Sequence, residues 1–382
     1  MTKLIVFLPN WVGDLVMATP ALRALRRHFG PAAELVGVMR PHLAELLQGT
    51  NWLSAAWPFD PRSKDPSLRR WALLRRMRRA RFDVALLMPN SLHAALLAWL
   101  GGARQRVGYA RDGRSLLLTR TLCPPTAGGR RVECPMVDYY LMLATAVGCE
   151  PESPRLELAT RESDEKSAEQ VFARLGLPGD GRVVGLNTGS ANGAARCWPA
   201  ERLAALARRV VERLEHHVLV FCGPKERELA RSIAAQAGSD RVACMADQPL
   251  DFGTAKACLR RIGLLVTSDS GPRHIAAAMG TPVMTLYGPT TPLASENPTV
   301  RAINVQLDLP CIGCWKPICP LGHNRCMTDL TVDTVYAEVA RAIGAGATAA
   351  SDGPYARRDG PHSRGQSSAD QSAVKRKPEQ RR

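Results

Sequence analysis

Apolar positions along this chain come in two alternating kinds of block. Continuous runs of four or five apolar residues, bounded by turn residues, read as buried strands at Leu4–Leu8, Leu35–Met39 and Val84–Met88, with Gln105–Gly108 extended. Between them, apolar positions recur three and four residues apart and predict helices over Leu15–Phe29, Leu68–Arg81, Leu92–Leu100 and Met136–Val147. A second series follows: strand Val183–Leu186, helix Ala200–Leu214, strand Val218–Phe221, helix Lys225–Ala237 and a helix near Thr254–Arg261. The stretch from Ile262 to Thr290 then gives a strand over Gly263–Thr267, a polar turn, a helix over Ile275–Met279 and a strand over Pro282–Leu286.

Strands that alternate with helices predict an α/β fold of parallel sheets covered by helices on both faces. Pro151–Pro154 and the charged helical stretch Glu162–Leu175 separate the two series. The expected division is a Rossmann-like domain over 1–155, a linker over 156–180, a second Rossmann-like domain over 181–345 and a disordered basic tail over 346–382. A length of 382 residues supports two cores. Ligands of open parallel sheets bind at the carboxyl ends of the strands, which here face a cleft between the domains.

Charge and cysteine content narrow the function classes. The formal charge is +16, from 51 basic and 35 acidic residues. The segment Ser351–Arg382 holds eight basic and four acidic residues, so the remainder is basic in its own right. That implies anionic partners: nucleic acid, an anionic membrane surface or phosphorylated substrates. Nucleic acid is not expected, because aromatics are only 5% and no zinc-finger or RNP pattern is present. No apolar run is long enough to span a bilayer, and the N-terminus reads as a first strand, not a signal peptide. Eleven scattered or clustered Cys fit a reduced, cytoplasmic setting.

Several strand ends carry candidate chemistry. Pro9–Asp14 joins the first strand to the first helix; Gly13 permits a tight turn or a close ligand approach, and Asp14 serves as a helix cap or as a general base. Asn187–Pro199 offers Thr188, Ser190 and Arg196 to a diphosphate, or is a plain loop into a helix. Near Phe221–Glu226 a carboxylate, Glu226 or Glu228, suits ribose hydroxyls or merely the first turn of a helix. Asp269, Ser270 and Gly271 crowd small polar groups before Pro272, a ready anion site at a helix start or an ordinary cap. Seven Arg (69, 70, 75, 76, 78, 79 and 81) lie between Asp65 and Asp83 without an intervening acid. They form a solvated face or meet an anionic acceptor. Cys311, Cys314, Cys319 and Cys326, with His323, could hold zinc or iron, although the spacing lacks a second C-x2-C; reduced thiols or a reversible disulfide are the alternatives.

Taken together, LPNWVGDLVMATPAL, NTGSANGAARCWP and SDSGPRHIAAAMGTPVMTLYGPTTP resemble the bacterial lipopolysaccharide heptosyltransferases, a two-domain GT-B family, from Lys3 to about Ala342. CIGCWKPICPLGHNRCMTDLT is similar to the heptosyltransferase II branch. The resemblance implies inverting transfer of L-glycero-D-manno-heptose from ADP-heptose to the first heptose of the lipopolysaccharide inner core, with no cofactor and no catalytic metal. A related heptosyltransferase of type I, or one acting on a surface protein, is the alternative. It implies that Asp14 is the general base and that Thr188, Ser190, Arg196, Glu226, Asp269, Ser270, Gly271 and His274 hold the donor. Arg196 stands where the family commonly has Lys, and His274 either contacts phosphate or heptose or orients Asp269. The acceptor is expected to meet Asn10, Gly13, Arg69 and Arg70. The enzyme is expected in the cytoplasm, touching the inner membrane peripherally. A noncatalytic anion- or nucleic-acid-binding protein is the competing class; it leaves the paired strand-end motifs unexplained.

Overall fold

The computed structural model describes residues 2–127, 130–189 and 193–348. Ser190 and residues 349–382 of the expected tail lie outside the described residues. In the first half, β1 (Lys3–Phe7) leads through α1 (Val12–Met17) and α2 (Thr19–Phe29) to β2 (Glu34–Met39) and β3 (Ala55–Pro58). Then come α3 (Arg70–Ala80), β4 (Val84–Leu87), α4 (Leu92–Leu100), β5 (Gln105–Tyr109) and β6 (Arg120–Leu122). A small antiparallel ribbon of β7 (Thr126–Ala127) and β8 (Arg130–Arg131) precedes α5 (Met136–Thr145). After α6 (Glu162–Arg174) the second half runs β9 (Gly181–Asn187), α7 (Ala200–Leu214), β10 (His217–Phe221), α8 (Arg227–Ala237), β11 (Val242–Cys244) and α9 (Phe252–Arg261). It continues with β12 (Ile262–Ser268), α10 (Gly271–Ala278), β13 (Val283–Tyr287), β14 (Ala302–Gln306), α11 (Arg325–Thr328) and α12 (Val332–Thr348).

Two six-stranded parallel sheets result, ordered β3-β2-β1-β4-β5-β6 and β11-β10-β9-β12-β13-β14. The orders are the same, and in each the chain reverses direction across the sheet between its first and fourth strands. That switch point opens a crevice at the strands' carboxyl ends. The expected α/β architecture of two Rossmann-like domains across a cleft is what the chain adopts. The central strands are buried along nearly their whole length, which is why they read as continuous apolar runs and not as alternation. Among the described residues no helix is long and apolar enough to cross a membrane.

One predicted helix is two. Pro20 has no N–H to offer the carbonyl of Val16, and the Thr19 hydroxyl takes that acceptor instead at 2.7 Å. The helix is therefore interrupted at Ala18, which separates α1 from α2. β3, β6, β11 and β14 escaped the sequence reading. β3, β6 and β14 are short or half-exposed strands at or near sheet edges, so their sequences lack the apolar run that marks a central strand.

The halves are fastened away from the cleft mouth. Lys256 on α9 is fully buried, and its ammonium donates to the carbonyls of Leu46 (3.2 Å), Gln48 (2.8 Å) and Ala159 (2.6 Å). One apolar core runs without a break from Leu4, Leu15 and Tyr140 in the first half to Leu219, Ile275 and Val283 in the second. The final helix continues to Thr348, three residues into the stretch expected to be tail.

Candidate active site

Both switch points deliver their loops to one cleft of about 860 Å³. From the first sheet it receives Gly13 and Asp14 after β1 and Asn90 after β4; from the second it receives Asp269, Ser270 and Gly271 after β12. Arg196 and His274 line it too.

Asp14 does not cap its helix. It is the third residue of α1; Trp11 occupies the capping position, and no side chain closes that end. The Asp14 carboxylate accepts instead from the Tyr140 hydroxyl, Oη to Oδ1 at 3.1 Å. Burial pushes the Asp14 carboxyl above its usual range, and the Asp269 charge adds to that push. The Tyr140 hydrogen bond and the Arg196 guanidinium act the other way. Tyr140 is itself buried, which holds its phenol protonated, with the Asp14 charge reinforcing this. The pair gives a carboxylate with one oxygen held by a permanent donor and a raised proton affinity, properties that suit general-base chemistry.

Arg196 ends a short 3-10 turn, Ala194–Arg196. Its Nη1 donates to the Asp269 backbone carbonyl at 3.0 Å and lies 3.5 Å from the Asp269 carboxylate. Its Nε is buried and has no partner among the described residues. A guanidinium anchored on one side with a free donor on the other is ready for an anion. Beside it, α10 begins at Gly271 with no side-chain cap, so its amino-terminal dipole is open to the cleft.

His274 sits one turn into α10. Burial, and then the charge of Arg273, hold its pKa well below the usual range, so the ring is neutral. Arg273 Nη1 stands 3.5 Å from His274 Nδ1; with the guanidinium donating, Nδ1 accepts and the ring proton sits on Nε2. Nε2 faces Gly13 on α1. Among the described residues the hydrogen-bond partner of the His274 ring is Arg273, not Asp269.

Thr188 and Glu226 meet at the ends of β9 and β10. The Thr188 hydroxyl donates to Glu226 Oε2 at 2.9 Å, and the Gly223 N–H donates to the same oxygen at 2.8 Å. Glu226 immediately precedes α8, so of the two candidate acids it is the one at the strand end, while Glu228 lies inside the helix. Neither Thr188 nor Glu226 lines the cleft that Asp14 faces; they occupy the next strand ends along. Asn10 is exposed beside the cleft, and Arg69 and Arg70 lie outside its wall. The Arg69 guanidinium is engaged by the carbonyls of Ser63 (2.7 Å) and Lys64 (3.0 Å).

Sequence reasoning missed the part of the cleft wall built around Asn90, Arg111 and Tyr139. Arg114, fully buried, donates to the Tyr109 carbonyl, to Pro89 O and to Asn90 Oδ1, the last at 3.0 Å. Tyr139 also donates to Asn90, at 3.1 Å, and stacks on Tyr109 at 3.8 Å. Arg111 reaches the cleft with a buried Nε that has no partner among the described residues. The one available signal was Tyr139-Tyr140 within a predicted helix of a chain with only six Tyr.

Cys311, Cys314, Cys319 and Cys326 do come together, with His323, around a cavity of about 20 Å³, room for a single small atom or water. All four are free thiols. Among the described residues no group of three or more His, Cys, Asp or Glu is gathered so as to hold a metal ion. Backbone N–H groups around Cys319, that of Asn324 at 3.4 Å first, hold its thiol below the usual range.

Known proteins resemble this chain in sequence and fold. The chain is 25% identical to lipooligosaccharide heptosyltransferase 2 of Campylobacter jejuni, over 87% of this chain and 96% of that one. It is 26% identical to lipopolysaccharide heptosyltransferase 2 of Escherichia coli, over 88% and 97%. The solved structure of the E. coli ADP-heptose lps heptosyltransferase II superposes with a TM-score of 0.73 at 23% identity, covering 91% of this chain and all of that one. The family description "Glycosyltransferase family 9 (heptosyltransferase)" matches residues 70–324. A match over more than half of the chain, on a GT-B fold, makes this protein an enzyme belonging to glycosyltransferase family 9, the heptosyltransferases.

Proposed function

We propose that this heptosyltransferase moves L-glycero-D-manno-heptose from ADP-heptose to the first heptose of the lipopolysaccharide inner core, at the cytoplasmic face of the inner membrane. The observation that carries the reading is the placement of Asp14 opposite the Arg196–Asp269 pair across one cleft. Inversion at the anomeric carbon needs base and leaving group on opposite faces of the sugar. Asp14 takes the proton of the acceptor hydroxyl as that oxygen attacks. The bond from the anomeric carbon to the diphosphate oxygen breaks, and the electron pair leaves with ADP. Arg196 and the uncapped start of α10 stabilise the charge gathering there. Thr188 and Glu226 hold the nucleoside end of the donor, and Ser190 belongs to the same loop. Asn10, Gly13, Arg69, Arg70 and Arg111 belong to the acceptor side.

Mass spectrometry of products formed from ADP-heptose and defined truncated core acceptors tests the reading. Addition of one heptose to an acceptor that already carries the first heptose is the expected result. Transfer only to an acceptor lacking that heptose, or only to a protein, would overturn the acceptor assignment.

A further inference from the structure

We propose that the outer face of α3 and α4 is a docking surface for an anionic lipid bilayer. The inference deepens the proposed function by naming the partner surface, and it rests on that reading only in taking the acceptor to be membrane-borne.

Apart from His93, α4 is apolar throughout. Ala94, Ala95, Leu97 and Ala98 pack into the core layer on the first sheet, yet Leu92, Leu96 and Trp99, spaced four and three apart, project outward from the opposite face. Leu92 is 50% and Trp99 51% exposed. Leu116, on the neighbouring turn Arg114–Leu117, is 86% exposed. A patch of this kind on a helix that already has its core partner marks an interaction surface.

α3 lies alongside, buried through Leu73, Leu74 and Met77 in the same layer. Arg78 Nε donates to the Leu100 carbonyl at 2.9 Å and joins the ends of the two helices into one surface. Outward, α3 presents Trp71, 78% exposed, with Arg75 and Arg79. A groove of about 900 Å³ runs along it, lined by Trp71, Arg75, Arg78, Arg79, Arg81 and Lys3, with Asp83 as its one acid.

Charge complementarity selects the occupant. Guanidinium groups beside exposed Trp and Leu are what an anionic headgroup layer over hydrocarbon accommodates: cations at the phosphates, indoles at the boundary, leucines below it. A second copy would set one Arg row against another. Nucleic acid would leave Leu92, Leu96 and Leu116 in water. The surface runs the length of both helices, from Trp71 and Leu92 at their starts to Trp99 and the groove residues Arg81, Lys3 and Asp83 at the amino ends of β1 and β4.

Vesicle sedimentation of the full chain tests this, with phosphatidylcholine alone against phosphatidylcholine mixed with phosphatidylglycerol and no acceptor present. Brominated acyl chains report tryptophan depth. The expected result is binding to the anionic vesicles, weakened by salt, with tryptophan quenching. Trp71→Ser/Leu96→Ser/Trp99→Ser should bind at least about 10-fold more weakly and lose the quenching; Arg75→Gln/Arg79→Gln should bind about 10-fold more weakly. Both should keep the wild-type melting temperature and the wild-type rate on a water-soluble, delipidated acceptor. Wild-type partitioning by both variants overturns the proposal. So does binding to duplex DNA with no tryptophan quenching by lipid. Vesicle binding by a protein inactive on every core acceptor leaves the surface standing and overturns the proposed function instead.

Discussion

The imidazole of His274 occupies the space that a side chain on Gly13 would need: a Cβ built there would lie 2.7 Å from His274 Cδ2 and 3.2 Å from Nε2. The reciprocal contact is tight too, since a Cβ on Gly271 would stand 3.0 Å from Val12. The starts of α1 and α10 thus meet backbone to side chain, and this sets the distance from Asp14 to the Asp269–Gly271 turn. Gly13→Ala should force the helices apart, costing about 1–3 kcal/mol of packing. The expected outcome is a kcat/KM at least about 10-fold lower with the protein still folded by circular dichroism. Wild-type kcat/KM in this variant would show that the contact does not position the site.

Asp14 is raised in pKa by burial first and by Asp269 second, so its ionised form is held in the fold at a cost. A folded pKa above the unfolded one means that stability from this group is present at low pH and is lost as pH rises through the raised value. Asp14→Asn removes that penalty at neutral pH. It should raise the melting temperature slightly while lowering kcat about 10²–10⁴-fold with donor binding intact. The acid limb of the kcat/KM profile should lie above the ordinary aspartate range, because the base form is lost at the raised pKa. Tyr140 lowers that pKa through its hydrogen bond, so Tyr140→Phe should move the limb to still higher pH. A limb that stays put would remove Tyr140 from the site.

Arg196 also lowers the Asp14 pKa, from across the cleft. Arg196→Ala should therefore do two separable things. It should lower kcat about 10²-fold by removing a charge-assisted donor from the leaving group, and it should shift the acid limb upward. Arg196→Lys keeps the charge without the fork and should leave the limb in place while recovering part of the rate. Equal limbs in all three proteins would break the electrostatic link between the halves.

Lys256 has all three ammonium donors on backbone carbonyls of the first half and of the segment before α6. Burial lowers its pKa, and Asp164 opposes that shift. Lys256→Met keeps the volume and strands three buried carbonyls, which should cost about 3 kcal/mol. Thermal denaturation would register a drop of several degrees; an unchanged melting temperature would deny the residue its fastening role.

What could be read in advance follows from which interactions are local. Strands such as Val84–Leu87 and Val283–Tyr287 are buried on both faces, so every position must be apolar and the run is visible in one dimension. The same holds for the loops that follow strands: a parallel sheet sends its strand ends to one side, so Asp14, Arg196 and Asp269 could be assigned to a single cleft before their distances were known. The break at Ala18 was equally local, written in Thr19-Pro20, although the reading passed over it.

Other features had no local cause. The separation of Thr188 and Glu226 from the Asp14 cleft depends on strand order, β10 lying outside β9, which no short segment encodes. Tyr140 reaches Asp14 across 126 positions, and Lys256 finds its carbonyls 97 to 210 positions away. By itself, then, the sequence determined the two parallel sheets, the strand-end loops and the residue types at the site, because burial on two faces and turn chemistry act over a few neighbours. Only the tertiary structure decided that Asp14 is a buried carboxylate held by a tyrosine and not a helix cap. Desolvation and a hydrogen bond from a distant helix come into being when the chain packs.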